Sequence, residues 1–115
     1  MGFVFRAEHR RTGVSAAIKV IRGASGEQEI ENFHREVESH ARLVHPGIVT
    51  LFEYGRVDGE AVEATDGTLV EGSPFVAMEF ADGGTVGDHL PLTSWAEVQH
   101  ILVRVLDALA FAHAR

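Results

Sequence analysis

The only lysine of the chain, Lys19, lies within the apolar stretch AAIKVI at positions 16–21. The other nine basic residues are all arginine. If this stretch is a strand, its period of two puts Ala17, Lys19 and Ile21 on one face. Most strand lysines face solvent and cover apolar neighbours with their stems, so a purely structural role stays open. The small Ala17 would nevertheless let a ligand approach, and a lysine ammonium is a compact point charge that suits phosphate oxygens.

A carboxylate that could pair with this lysine follows on a predicted helix over residues 28–44. The apolar stripe of this helix has the spacings of three and four that are typical of an amphipathic helix: Ile30, Phe33, Val37, Ala41 and Val44. At ~100° per residue, Glu36 lies about 60° from Phe33, on the border of the stripe, whereas Glu38 lies about 140° away and should face solvent. We therefore predict an ion pair between Lys19 and Glu36, with nitrogen and oxygen within about 4 Å.

The remaining pattern predicts an α+β fold in which an antiparallel sheet packs against that helix. Strands are predicted by alternating or apolar runs at residues 2–7, 14–21, 48–57 and 74–80. The acidic residues 58–72 are expected to form a solvated connection that could include a short strand pair. A short helix is expected at 85–90. A long helix follows Ser94, the N-cap of a predicted capping box with Glu97, and runs to about His113.

The composition excludes several classes of function. The net charge is −7 and the basic residues are scattered, which argues against binding to nucleic acid or an anionic membrane. There is no cysteine, so neither disulfides nor a thiolate metal site is expected. The spacings of His34, His40 and His45 do not align on one helical face, so no metal site is predicted. Neither a signal peptide nor a long apolar run is present, and a cytoplasmic location is expected.

Six short segments, taken in order, resemble the N-terminal lobe of a protein kinase, most closely the bacterial serine/threonine kinases of the eukaryotic type. The segments are AAIK at 16–19, FHRE at 33–36, HPGIV at 45–49, FVAMEF at 75–80, DGGT at 82–85 and LAFAH at 109–113. The first resembles the family's V-A-I-K strand and the third its H-P-N-I-V segment. The start G-F-V at 2–4 is similar to the end of the family's glycine-rich loop. The resemblance implies a kinase N-lobe with one packed helix, followed by a hinge and a long helix.

The resemblance also implies roles for individual residues. Lys19 would hold the α- and β-phosphates of ATP, and Glu36 would hold Lys19. The other residues that the resemblance assigns to the nucleotide are Gly2 at the glycine loop, Val4 and Ala17 above the adenine, Met78 as gatekeeper, and Glu79 and Ala81 in the hinge.

Parts of the family pattern do not occur in this sequence. Neither an H-R-D catalytic loop nor a D-F-G motif is present, so the catalytic base and the Mg²⁺ ligands would belong only to a complete enzyme. We expect a division into an N-lobe with hinge at 1–81 and the start of a C-lobe at 82–115, truncated before the catalytic loop.

The expected function is the ATP-binding part of a protein serine/threonine kinase that acts on protein substrates when complete and is inactive as this chain alone. The alternatives are a non-catalytic kinase-like module that binds nucleotide or a partner, and an unrelated interaction domain. The last helix is expected to leave an apolar stripe exposed, through which the chain would self-associate.

Overall fold

The computed structural model of the chain describes residues 2–22, 26–92 and 94–115. Its four strands form one sheet in the order β1-β2-β4-β3, and every neighbouring pair is antiparallel. The strands are β1 (Gly2–Glu8), β2 (Ser15–Ile21), β3 (Leu51–Arg56) and β4 (Pro74–Glu79). The predicted α+β class is confirmed. The loop expected at 22–26 lies largely outside the described residues.

The first two strands form an antiparallel hairpin. His9 and Val14 close it with a backbone hydrogen bond of 2.9 Å, and Gly13 adopts a positive φ of 73°, which glycine tolerates without steric cost. β1 lies at one edge of the sheet, and none of the described strands pairs with its outer side. Such an edge presents free backbone donors and acceptors.

Helix α1 (Glu27–Ala41) packs against β3 and β4. Two residues of the predicted stripe, Ile30 and Val37, are its buried residues. The helix ends at Ala41 rather than at the predicted Val44, which is 82% exposed. The helix, and with it the apolar stripe, therefore ends three residues earlier than the periodicity indicates.

The two faces of the sheet are covered differently. One face carries Phe3, Phe5, Ile18 and Val20 and is called the capped face. Residues 57–73 fold over it as helix α2 (Gly59–Ala64) and a following loop, so the prediction of a solvated loop at 58–72 is wrong for Ala61, Val62 and Leu69. The cluster that joins the cap to the sheet has Val20, Val57 and Leu69 as its buried residues, which pack together with half-buried neighbours.

The cap is held by local hydrogen bonds at both of its ends. Asp58 caps α2 by accepting a bond from the backbone N–H of Ala61 at 2.9 Å. At the other end, the N–H of Gly72 donates to the carbonyl of Val57, and the N–H of Val57 donates to the carbonyl of Ser73, both at 2.8 Å. These two bonds continue the pairing of β3 with β4 by one residue, and no strand pair forms within 58–72.

Helix α3 (Trp95–His113) begins and ends where the sequence predicts, and Ser94 Oγ accepts a bond from the N–H of Glu97 at 3.2 Å. The short helix expected at 85–90 is a 3₁₀ turn, Val86–His89. No residue of α3 is buried. The helix lies against the loop after α1, where His45 Nε2 and Asp107 Oδ2 are 3.0 Å apart and the rings of His45 and Phe111 are 4.9 Å apart.

The part of the apolar stripe of α3 that points away from this loop is exposed. Leu102, Val105, Leu106 and Leu109 are 48%, 50%, 62% and 47% exposed, as the sequence predicts, whereas Val98 and Ile101, expected in the same exposed stripe, are half-buried. Within the described ranges, none of the helices is long and apolar enough to span a membrane.

Candidate functional site

The sheet face opposite the cap carries the lysine and is called the Lys19 face. The strand register places Val4, Lys19 and Val76 side by side across three strands. The next row on the same face is Arg6, Ala17 and Met78. Directly opposed residues in antiparallel strands present their side chains on the same face. The fold therefore brings together four of the predicted site residues, namely Val4, Ala17, Lys19 and Met78.

The Lys19 face is open at its β1–β2 end. Val4 is 69% exposed, Lys19 is exposed, and Ala17 and Met78 are half-buried. Ala17 and Lys19 are two residues apart, so their side chains leave the strand about 7 Å from each other. The result is an apolar shelf with a primary ammonium at one end, and Arg6 adds a second cation beside Ala17. Such a surface can hold a flat apolar group together with an attached anion.

The predicted partner of Lys19 is not in contact with it. The ion pairs within 4.0 Å among the described residues do not include Lys19 with Glu36, and both side chains are exposed. The predicted ion pair is therefore not formed in this structure. The rival Glu38 does not approach Lys19 either, because it accepts a hydrogen bond of 2.9 Å from the hydroxyl of Tyr54 on β3.

The packing of α1 explains why the lysine and the glutamate stay apart. Relative to the buried Val37, Glu36 and Glu38 lie about 100° to either side on the helix wheel. Glu38 takes the flank toward β3, where the ring of His34 also packs against Tyr54 at 5.2 Å. Glu36 is on the opposite flank, away from β3. The helix is thus fixed on its β3 side, and the flank that carries Glu36 makes no ion pair with β2.

The contact between Tyr54 and Glu38 also changes the acidity of the phenol. The hydrogen bond to Glu38, and then the negative charge of that carboxylate, raise the pKa of Tyr54 above its ordinary value. Glu38, which the sequence assigned to solvent, therefore has a structural partner. The signal that could have revealed it is the helical distance between His34 and Glu38, which puts both on one side of α1.

The other predicted site residues take positions that need separate explanations. Gly2 starts β1 opposite Ile21, and a Cβ there would overlap the carbonyl oxygen of Val20, so close strand packing alone requires a glycine. Glu79 ends β4, and its carboxylate accepts a bond of 3.1 Å from the N–H of Thr50. Ala81 is exposed just beyond that strand. Nucleotide contacts of Gly2, Glu79 and Ala81 stay predictions.

Two features at the hinge end of the Lys19 face were missed from the sequence. The guanidinium of Arg6 lies 4.7 Å from the ring centroid of Phe80, which links β1 to the segment after β4. The following turn is fixed by a capping box, in which Thr85 and Asp88 bond each other's backbone N–H groups. Hydrogen bonds from the backbone and then the side chain of Thr85 lower the pKa of Asp88. The Thr-x-x-Asp spacing was a readable signal for this turn.

Comparison with known proteins agrees with this geometry. The family described as the protein kinase domain matches residues 1–115. The chain is 33% identical over 119 residues to the serine/threonine-protein kinase pkn3 of Myxococcus xanthus. The matched region covers 98% of this chain and 19% of that protein. It is 32% identical over 123 residues to the serine/threonine-protein kinase PknF of Mycobacterium tuberculosis, covering all of this chain and 23% of that protein.

The chain therefore belongs to the protein kinase domain family. A third relative, the serine/threonine-protein kinase PknA of Mycobacterium tuberculosis, is 31% identical over 121 residues. The chain spans only 19%, 23% and 26% of the lengths of pkn3, PknF and PknA. The antiparallel sheet, the packed helix and the long final helix agree with the N-terminal lobe of this family and the helix that follows it.

Proposed function

We propose that this chain is the ATP-binding part of a protein serine/threonine kinase. The observation that carries the proposal is the Lys19 face, where the single lysine and the apolar shelf of Val4, Ala17 and Met78 lie on neighbouring strands of one open sheet face. Membership of the protein kinase domain family and the similarity to bacterial serine/threonine-protein kinases support the same function.

The residues of this face fit a nucleotide. An adenine ring has an apolar face that the shelf could cover, and the ammonium of Lys19 stands about two residues along the strand, where the phosphates would follow. ATP, when bound, would supply the phosphoryl group. The part played by Lys19 is to neutralise phosphate charge and fix its position. Glu36 would orient Lys19 only after α1 moves toward β2, so we propose that this structure shows the unpaired state of the helix.

Nucleotide binding tests this function directly. We expect a fluorescent N-methylanthraniloyl ATP to bind the 115-residue chain weakly, and Lys19→Met to weaken that binding at least tenfold while leaving the circular dichroism spectrum unchanged. Arg11→Met, which removes one charge from the exposed hairpin, is the matched control and should bind like the unaltered chain. Equal binding by the Lys19 variant and the control would remove Lys19 from the site.

Phosphoryl transfer is a separate question, because the sequence has neither an H-R-D nor a D-F-G motif. These motifs supply the base and the Mg²⁺ ligands in the family, so we expect no ADP release from ATP, Mg²⁺ and a generic acceptor protein. Turnover by the unaltered chain that is lost in Lys19→Met would contradict this expectation. It would also favour the kinase over the non-catalytic nucleotide-binding module as the function of the chain by itself.

We also propose that the exposed stripe of α3 mediates self-association of this chain. The stripe is Leu102, Val105, Leu106 and Leu109, four apolar side chains on neighbouring helical turns. Leu106→Gln should shift the molar mass from light scattering toward that of a monomer. Val70→Gln, at an equally exposed valine on the cap, should not. A monomeric unaltered chain at high concentration would contradict the proposal. The division at 81/82 and a cytoplasmic location stay predictions.

A further inference from the structure

A contact between a cation and an aromatic ring crosses the Lys19 face at its hinge end. The guanidinium carbon of Arg6 lies 4.7 Å from the ring centroid of Phe80. Arg6 is on β1 and Phe80 follows the end of β4, and these two strands pair with β2 from opposite sides. Because neighbouring strands are about 4.8 Å apart, β1 and β4 are separated by roughly 10 Å. The contact between the two side chains therefore lies over β2.

The strand register fixes the face and the level of this contact. Arg6 and Met78 are both opposite Ala17, on the face that carries Lys19. Phe80 is two residues beyond Met78, so the alternation of a strand gives its side chain the same face. The side chain of Ala17 is a single methyl group, which leaves room for a guanidinium to cross β2. The apolar shelf thus has the ammonium of Lys19 at one end and the guanidinium of Arg6 at the other.

The guanidinium of Arg6 is held in place without being neutralised. Among residues 2–22, 26–92 and 94–115, the Arg6 side chain makes neither an ion pair nor a hydrogen bond, and no second aromatic ring packs on it. Phe80 is half-buried, whereas Arg6 is exposed. A guanidinium is a planar cation that stacks on aromatic faces, those of nucleobases included. The contact with Phe80 therefore leaves the charge and the N–H donors of Arg6 available to a ligand on the shelf.

We propose that Arg6 is a base-binding residue of the nucleotide site, where its guanidinium stacks on the purine ring and Phe80 positions it for that contact. The inference rests on the proposed function, to which it adds a residue that has no role in the resemblance to kinases. The two cations of the Lys19 face divide the ligand between them. A base that rests on Ala17 lies beside Arg6, whereas the phosphates extend toward Lys19, about 7 Å further along β2.

Titrations with adenosine, ATP and inorganic tripolyphosphate test this division, with the methyl resonances of Ala17 and Met78 as the readout. Arg6→Met should weaken adenosine and ATP about fivefold, the loss expected for a cation stacked on a base, and should change tripolyphosphate by less than about twofold. Lys19→Met should do the opposite, weakening ATP and tripolyphosphate but not adenosine. Arg11→Met removes the same charge from the exposed hairpin and should bind all three ligands like the unaltered chain.

The positioning role of Phe80 has its own test. Phe80→Leu should weaken adenosine as Arg6→Met does, and the double variant should be no weaker than either single one, because Phe80 acts through Arg6. Tripolyphosphate binding should stay unchanged in Phe80→Leu, whereas a general loosening of the sheet would weaken it too. A nuclear Overhauser effect between adenine H8 or H2 and the δ-methylene of Arg6 is expected in the unaltered chain and tests the contact without any substitution.

The outcomes separate this inference from the function on which it rests. If Lys19→Met weakens ATP but Arg6→Met leaves adenosine binding unchanged and no Overhauser effect is seen, the inference is wrong and the proposed function stands. Equal losses of all three ligands in Arg6→Met would also overturn it, since they would report a structural role. Failure of the unaltered chain to bind ATP would remove the proposed function and this inference together.

Discussion

The two faces of the sheet share their strands but differ in what covers them. On the capped face, Val20 is 2% exposed beneath Val57 and Leu69, which come from a single local segment. On the Lys19 face, Val4 is 69% exposed at the β1–β2 end, while α1 covers only the part near β3 and β4. The connection between β3 and β4 thus covers one face of the sheet, whereas the part of the other face that carries Lys19 stays open to solvent.

This difference shows which residues of β2 contribute to stability and which are available for binding. Its residues alternate between the faces, so Ala16, Ile18 and Val20 serve the core while Ala17 and Lys19 serve the open surface. Because the period of a strand is two, a change at one position should affect one property and leave the other nearly untouched. Each of the following predictions tests that separation.

The largest effect is expected from Val20→Ala. Removing two buried methyl groups and leaving a cavity should lower the free energy of unfolding by about 2 kcal/mol. Val4→Ala makes the same chemical change on the open face and should cost less than about 1 kcal/mol, since that side chain is already solvated. Urea unfolding followed by circular dichroism measures both. Equal losses would mean that the cap does not protect the capped face in solution.

A smaller effect is expected from pH, through the contact that fixes α1 on β3. Glu38 raises the pKa of Tyr54 in the folded chain, so the unfolded chain loses the phenolic proton first as pH rises. The contribution of this group to stability is therefore complete below the unfolded pKa of about 10 and is lost as pH rises through the folded pKa.

Glu38→Gln should remove most of this dependence, because it removes the charge that opposes ionisation of the phenol. The measurements are an ultraviolet titration of the tyrosine, the only one in the chain, and the melting temperature between pH 8 and pH 11. Glu36→Gln is the control, since Glu36 lies on the other flank of α1. A Tyr54 pKa that is the same in the unaltered chain and in Glu38→Gln would show that α1 is not held there.

The sequence predicted more of the sheet and the helices than of the contacts between them. The hydrophobic period predicted all four strands, α1 and α3. Each of these elements either has one face that must be buried or is long enough to show its repeat. Helix α2 was missed, although Asp58 is a good N-cap residue, because six residues are too few to display a helical period. Leu69 was missed because the adjacent pair Leu69 and Val70 shows neither a helical nor a strand period, although only Leu69 is buried.

For the candidate site too, the sequence predicted the positions of residues on one element better than the contacts between elements. Strand periodicity correctly grouped Ala17 with Lys19, and the register then added Val4 and Met78 to that face. The pairing of Lys19 with Glu36 could not be settled from the sequence, because the wheel gives the angle of a residue on its helix but not the distance of the helix from a strand. That distance depends on the packing of Ile30, His34 and Val37 against β3 and β4.

The smallest expected effect concerns this missing pair, and it tests the open face most directly. In a double-mutant cycle of Lys19→Met and Glu36→Gln, the two losses in unfolding free energy should add within about 0.3–0.5 kcal/mol, as they do for sites that do not touch. The same cycle with Glu38→Gln in place of Glu36→Gln is the control and should also be additive, because Tyr54 holds that carboxylate. A coupling above about 1 kcal/mol for Lys19 and Glu36 alone would mean that α1 moves toward β2 in solution and that the ion pair predicted from the sequence forms there. Repeating the cycle with saturating ATP then distinguishes a pair that exists beforehand from one that forms only when phosphate occupies the Lys19 face, since a ligand can shift α1 only by binding one of its positions more tightly than the other.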